Sequence, residues 1–184
     1  MGRYYLVVPT DNDFEDSVGA AAVLLGDRWT FLILREAFFG AKRFNEFAEN
    51  LGLSRNILSS RLKMLVSQGI FEEHPYGPSK ARNEYRLAQA GRDIFPIVVA
   101  LLQWGDKYLA GAHGRSIVLQ HTRCGGDADP QLVCRTCHEP LELSEVLPTP
   151  GPGASEWVRE HLSQLSGGVF VAPDSGPVAP ATDR

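Results

Sequence analysis

The sequence predicts a mainly α-helical domain that carries one small β-hairpin, followed by a compact cysteine-bearing extension. Three observations support this. Between residues 17 and 67 the apolar side chains recur at helical spacing in a series of short segments. Directly after Gly69 the period changes from about 3.6 residues to 2, in two stretches separated by a turn-rich loop. All three cysteines lie between Cys124 and Cys137, an odd number and a tight grouping that argue against a disulfide framework.

The whole chain bounds the answer before any element is placed. Its 184 residues suffice for one packed domain and a smaller appendage. A content of 43% hydrophobic and 22% charged residues is that of an ordinary globular protein. No apolar run approaches the roughly 18 to 20 residues that cross a bilayer. The stretch from Met1 to Pro9 is too weakly apolar for a secretory signal, and Leu6 stands where an N-myristoylation pattern needs Ser or Thr. A cytoplasmic location without membrane contact is the expectation. The net charge of −4 conceals an asymmetry: Lys42 to Arg86 has eight Lys/Arg against five Asp/Glu, a net +3, leaving −7 for the remainder. A local basic surface on an acidic protein permits phosphate binding.

Taken in order, residues 1–15 read as an N-terminal arm in which Tyr4 to Val8 forms a short strand or packed segment. Ser17 to Leu25 reads as an Ala-rich helix stopped by Gly26, with acidic Thr10 to Asp16 capping it. Asp27 opens a second helix, Arg28 to Phe39, with Trp29, Leu32, Ile33 and Phe38 as its core residues. A buried aromatic at helical spacing is more often core than ligand pocket, and Trp29 is read that way. Gly40 and Ala41 break this helix, and Arg43 to Asn50 forms a short one with Phe44, Phe47 and Leu51 inward.

Gly52 supplies a turn, Ser54 an N-cap and Gly69 a left-handed stop, so the residues between form one helix. Its Leu58, Leu62 and Leu65 gather on one side, flanked by Ile57 and Val66. Asn56, Ser59, Ser60, Lys63 and Ser67 gather on the other, with Arg55 near the edge. That second face has cations and short hydrogen-bonding groups and no carboxylate, so it can approach base edges and phosphates without repulsion. In isolation it would be an ordinary solvated face. The neighbouring elements reverse that reading, because two helices joined by a short Gly-containing turn form a helix-turn-helix.

Ile70 to His74 and Glu84 to Leu87 then pair as strands, and a hairpin directly behind such a helix is a wing. The loop from Pro75 to Asn83 bears Lys80 and Arg82, placed to reach an adjacent groove or phosphate. His74 reads as a strand surface residue rather than a catalyst. Gln89 to Ala110 reads as one long helix, with Pro96 as a bend and Ala88 a poor cap. Its stripes Ile94, Val98, Leu101, Tyr108 and Phe95, Leu102, Leu109 cover more arc than one small domain needs, which predicts a homodimer through residues 89–110.

At this point the chain resembles the HxlR-type winged-helix transcriptional regulators. The resemblance rests on Gly26-Asp27-Arg28-Trp29-Thr30 with Leu32-Ile33-Leu34-Arg35, and on Arg43-Phe44-Asn45-Glu46-Phe47. It continues through Leu58-Ser59-Ser60-Arg61-Leu62-Lys63-Met64-Leu65 before Gly69-Ile70, then Glu84-Tyr85-Arg86-Leu87, Gly91 and Trp104-Gly105. It covers roughly residues 16–111 and implies a homodimer, joined also by N-terminal segments, on a palindromic or near-palindromic double-stranded DNA operator. Two departures stand out. Many members carry a cysteine just before the first helix, whereas this chain reads Glu15-Asp16-Ser17, so redox sensing at that place is not available. Arg61 matches the motif but projects toward the core flank, and it reads as a packing or backbone-contacting residue.

The cysteine region reads His121-x2-Cys124-x9-Cys134-x2-Cys137. Paired two-residue spacings aim two soft ligands at one tetrahedral ion, so structural Zn2+ held by His121, Cys124, Cys134 and Cys137 is the expectation. His138, standing where a knuckle commonly has Gly, competes with His121 as fourth ligand. A relic ribbon without metal and a thiol sensor are the alternatives. Residues 113–147 thus form a zinc-ribbon-like element behind the 16–112 winged domain. Pro148, Pro150 and Pro152 mark a linker; Glu156 to Leu165 forms a short amphipathic helix, and a Pro/Gly-rich tail follows.

The function expected is sequence-specific DNA binding by a dimeric transcriptional regulator. Asn56, Ser59, Ser60 and Lys63 face bases, Arg43, Arg55, Lys80 and Arg82 contact phosphates or the minor groove, and Ser54 starts the reading helix. The alternative is a winged-helix protein-interaction module without operator binding. No nucleophile–base pairing and no phosphate-cradling Gly loop supports an enzyme. A small-molecule effector would fit between the first helices and the dimer helix, though no residue identifies it.

Overall fold

The computed structural model describes residues 16–78 and 82–165. The N-terminal arm with Tyr4 to Val8, the wing-tip Lys80 and the tail beyond Leu165 lie outside the described residues. Helix α1 (Ser17–Leu25) opens on Asp16, whose carboxylate accepts from the amides of Val18 at 2.6 Å and Gly19 at 2.9 Å. Helix α2 (Arg28–Phe38) opens on Asp27, which accepts from the Trp29 amide at 3.0 Å. Both caps satisfy amides that have no partner within the helix. Helices α3 (Phe44–Leu51) and α4 (Arg55–Ser67) follow, then strands β1 (Phe71–Tyr76) and β2 (Arg82–Leu87).

The core lies where α2, α3, α4 and the start of β1 converge. Ile33 and Leu34 of α2, Phe47 of α3, Leu58, Leu62 and Leu65 of α4, and Ile70 are all fully buried. Phe47 meets Phe71 edge to face, with ring centroids 6.3 Å apart. Each such side chain contributes roughly 1.5–3 kcal/mol on burial, so this cluster fixes the angle between α3 and α4. Trp29 and Phe38 are only half-buried against this core, and Leu32 is half-buried away from it. Leu34 and Thr30 take the innermost α2 positions, and among the described residues the Thr30 hydroxyl has no partner.

The hairpin is antiparallel, in register from Phe71 opposite Leu87 to Tyr76 opposite Arg82. It reaches two residues further toward its tip on each strand than the sequence suggested, while β1 begins one residue later, at Phe71. The segment entering α3 lies along β2, where the Tyr85 amide donates to the Lys42 carbonyl at 2.7 Å. This neighbour supplies pairing that no local pattern encodes.

The long helix expected over Gln89 to Ala110 is instead two: α5 (Gln89–Asp93) and α6 (Phe95–Tyr108), parted at Ile94. Pro96 is the cause. It has no amide for the Arg92 carbonyl and its ring crowds that carbonyl, but it is well suited to the first turn of a new helix. Ala88 provides no side-chain cap, as its sequence implies. The Ala88 amide donates instead to the Ile70 carbonyl at 3.0 Å, and the Arg92 guanidinium donates to the Leu87 carbonyl.

The chain divides into two compact units, Met1–Pro130 and Gln131–Arg184. The boundary falls inside the cysteine region, so His121 and Cys124 belong to the first unit and Cys134 and Cys137 to the second. The second unit includes the expected helix, α7 (Glu156–Leu165). Among the described residues no single helix is long and apolar enough to cross a membrane.

Candidate functional site

The α3–α4 corner is built by three adjacent residues. Gly52 adopts a left-handed φ of 61°, which turns the chain out of α3 without a Cβ penalty. Leu53 is buried and anchors the turn, and the Ser54 hydroxyl accepts from the Ile57 amide at 3.5 Å to begin α4. With Leu58, Leu62 and Leu65 inward, the opposite face of α4 is fixed by helical geometry. Arg55, Asn56, Ser60 and Lys63 are exposed on it, and Ser59 is half-buried. Asn56 and Lys63 make no side-chain hydrogen bond or ion pair to any described residue, so their donors remain available. The Arg55 guanidinium stands 5.2 Å over the Phe44 ring, linking α4 to α3. Ser67 turns its hydroxyl inward to donate to the Met64 carbonyl at 2.8 Å.

Arg61 shows what its place on the flank does. Its guanidinium donates to Asp27 Oδ2 at 3.1 Å, while Asp27 Oδ1 caps α2. One carboxylate therefore starts the second helix and clamps α4 to it. Arg61 is a packing residue rather than a member of the exposed face.

The wing side is a charge network. Arg43 lies 3.5 Å from Glu84 and 5.0 Å from the Tyr76 ring centre, and Arg86 reaches the same Glu84 at 3.0 Å. Arg86 beside it, and then Arg43, hold the Glu84 carboxyl below the ordinary carboxylate range. Glu46 is held low by the amides of Lys42 and Arg43, from which it accepts at 2.8 Å and 2.9 Å. Arg43 remains half-exposed within this network, and Arg82 is exposed on β2 opposite Tyr76. Burial pushes the Tyr85 phenol up, with Glu73 adding to the effect. His74 sits on the strand surface, 3.2 Å from Glu72.

No local pattern singles out Glu36, a carboxylate only 8% exposed in the middle of α2. Arg35 donates to its Oε1 through two nitrogens, at 2.7 Å and 3.0 Å, and Asn50 donates to its Oε2 at 2.8 Å. The group ties α2 to the end of α3, and its charge is compensated in place.

The cysteine region consists of two turns with one internal pattern. In the first, the His121 amide donates to the Gly126 carbonyl at 2.8 Å, and the Gly125 amide donates to the His121 carbonyl at 2.8 Å. In the second, the Cys134 amide donates to the Glu139 carbonyl and the His138 amide to the Cys134 carbonyl, both at 2.8 Å. Short antiparallel bridges flank each turn, Gln120 with Asp127 and Val133 with Pro140. Gly125 has a φ of 74° and His138 a φ of 63°, the only positive value outside glycine among the described residues. His121 thus occupies in its turn the position Cys134 occupies in its own, Cys124 matches Cys137, and His138 matches Gly125. Sequence comparison at a thirteen-residue offset would have exposed this repeat, because Leu119-x-His-x-x-Cys and Leu132-x-Cys-x-x-Cys align.

Within the first turn His121 Nδ1 lies 3.4 Å from Cys124 Sγ. Within the second, the amides of Cys137 and then Thr136 lower the Cys134 thiol below its ordinary range. Among the described residues no three His, Cys, Asp or Glu side chains are gathered in a group that could hold a metal ion.

Comparison with known proteins agrees with this architecture. Residues 24–113 match the family described as HxlR-like helix-turn-helix. The HTH-type transcriptional regulator Rv3095 of Mycobacterium tuberculosis is 54% identical over 138 residues, covering 75% of this chain and 87% of that protein. The HTH-type transcriptional regulator sll1512 of Synechocystis is 36% identical over 87 residues, 47% of this chain and 64% of that one. The crystal structure of PA1607, a candidate transcription factor, superimposes with a TM-score of 0.69 at 34% identity, covering 76% of this chain and 98% of that one. PA1374 from Pseudomonas aeruginosa superimposes with a TM-score of 0.57 at 28% identity, over 77% and 96% of the two chains. With a helix-turn-helix corner, a wing behind it and a relative matched over most of its length, the chain belongs to the HxlR-like helix-turn-helix family of transcriptional regulators.

Proposed function

We propose that the protein is a homodimeric regulator in which α4 reads an operator through the major groove. The observation that carries this reading is the outward face of α4, where Asn56, Ser60 and Lys63 are exposed and carboxylate-free while three leucines behind them are fully buried. Asn56, Ser59, Ser60 and Lys63 supply base-edge donors and acceptors. Ser54, Arg55, Arg43 and Arg82, with the wing-tip Lys80, supply phosphate or minor-groove contacts that set register. Two copies pair through α6, where Ile97, Leu101, Trp104 and Tyr108 follow a four-three-four spacing and are each about half-exposed. That is the seam spacing of a helix–helix interface. A small-molecule effector acting at the α2–α6 side belongs to the same proposal.

Lys63→Glu tests the reading. Operator binding, measured by fluorescence anisotropy with DNA from upstream of the protein's own gene, should fall at least about 100-fold while the dimer persists. Unchanged affinity in that variant refutes the assignment of α4. Arg82→Ala should instead weaken binding on all sequences and flatten the salt dependence by about one unit per lost phosphate contact.

A structural Zn2+ completes the proposal. His121 and Cys124 present one donor pair and Cys134 and Cys137 another, each on a turn of the same design, and two such pairs meet the tetrahedral N/S preference of zinc. The ion would supply folding energy rather than chemistry, because four protein ligands leave no open position. The repeat favours His121 over His138 as fourth ligand, since His138 takes the place of the turn glycine.

A further inference from the structure

Beyond the proposed DNA-reading face, the first unit has a half-open cavity of about 620 Å³ between α2, α6 and the segment that follows α6. Phe31, Phe38 and Phe39 line it from α2 and its C-terminal cap, and Phe95 lines it from α6. Phe38 and Phe95 meet edge to face across it, with ring centres 5.2 Å apart. The remaining walls are aliphatic, apart from backbone and the Ser116 hydroxyl. Among the described residues, only two side chains with a charge line the space, Arg35 and Asp106.

Those two charges are not equivalent. Arg35 already donates through Nε and Nη2 to the Glu36 carboxylate, so its charge is compensated inside the fold. Asp106, half-buried on α6, has no hydrogen-bond or ion-pair partner among the described residues. A carboxylate in low-dielectric surroundings attracts a positive charge more strongly than one in water does. Aromatic faces add to that attraction, since their negative quadrupoles favour a cation above the ring. An anion would meet the uncompensated Asp106 charge and is disfavoured.

We infer that this cavity binds a lipophilic monocation, an aromatic or aliphatic ammonium or phosphonium, with Asp106 as its counter-charge and the four phenylalanines as its apolar cage. Binding rests on the cavity alone. Its use as an effector signal rests on the regulator reading above, because α6 both walls the cavity and carries the proposed dimer seam.

The test uses the full chain and a matched pair of probes, tetraphenylphosphonium and tetraphenylborate, which share size and shape and differ in charge. Calorimetric titration should show saturable binding of one phosphonium per chain, at least tenfold tighter than the borate. Asp106→Asn should weaken the phosphonium at least tenfold and leave a neutral aromatic probe unchanged, with an unaltered melting temperature showing that the variant is folded. The charge preference of the unmodified protein needs no variant and stands as an independent measurement. Absence of saturable phosphonium binding overturns the inference. So does equal or stronger binding of the borate, or an Asp106→Asn variant that binds the phosphonium normally. A stable dimer that binds neither probe also overturns it, and assigns the cavity walls to contact between copies. Operator binding by the ligand-free protein is measured separately, so failure here leaves the DNA reading to its own test.

Discussion

Single residues in this protein carry two duties at once, and Asp27 is the clearest case. One of its oxygens caps α2 and the other holds Arg61 of α4 at 3.1 Å. Asp27→Ala should therefore cost about 1–2 kcal/mol, more than a simple cap. Arg61→Ala should cost under about 1 kcal/mol, because the pair is about one-third exposed and screened by solvent. Urea melts of both variants and their combination give the coupling; strictly additive losses would show the link to be energetically idle. His138 makes a different prediction. Its left-handed φ of 63° is one a glycine adopts without strain, so His138→Gly should preserve or slightly raise stability. If His121 is the zinc ligand, His138→Gly keeps full metal content in elemental analysis while His121→Ala loses affinity. The reverse pattern would assign the fourth ligand to His138.

At the scale of elements, the break between α5 and α6 sets the geometry of the domain. It lets α5 turn back under the hairpin, where Gly91 is buried against the Ile70 carbonyl so closely that a Cβ would strike that oxygen. Gly91→Ala must displace backbone rather than a flexible side chain, and should cost about 1–3 kcal/mol. A thermal melt that shows no loss would mean that α5 shifts freely. Most of the helix-turn-helix was legible in the sequence, because Gly52, Ser54 and the leucines at 58, 62 and 65 are local signals of turn, cap and inward face. The α5–α6 break was legible only as a proline. Whether Pro96 bends a helix or starts a new one depends on what receives the freed carbonyls and amides. Here the Ile94 amide donates to the Gly91 carbonyl at 3.3 Å and the Ile97 amide to the Ile94 carbonyl at 2.9 Å, so one short turn closes α5 and another opens α6.

At the scale of the whole molecule, the apolar seam of α6 is the main surface the described first unit leaves unburied. The Trp104 and Tyr108 rings meet on it at a 45° tilt with centres 5.5 Å apart, and Trp104 is 52% exposed. Ile97→Asp with Trp104→Asp should weaken self-association by at least about 30-fold, the loss expected of a 2 kcal/mol hot spot, while circular dichroism stays native. Sedimentation across a concentration series checks this. A dimer that survives both changes would place the interface elsewhere. Operator affinity should fall with the dimer, because two half-sites are then no longer bound as one unit.

The sequence alone determined the order of the first elements, the inward and outward faces of α4 and the wing. Those features depend on periods and turn residues that act over fewer than about ten positions. Tertiary structure decided which charges are spent and which are free. Arg61 and Arg43 are engaged by carboxylates distant in the chain, Asp27 and Glu84, while Lys63 and Asp106 have no partner among the described residues. Whether a charge is compensated depends on groups brought together only by packing, and so no local pattern contains it.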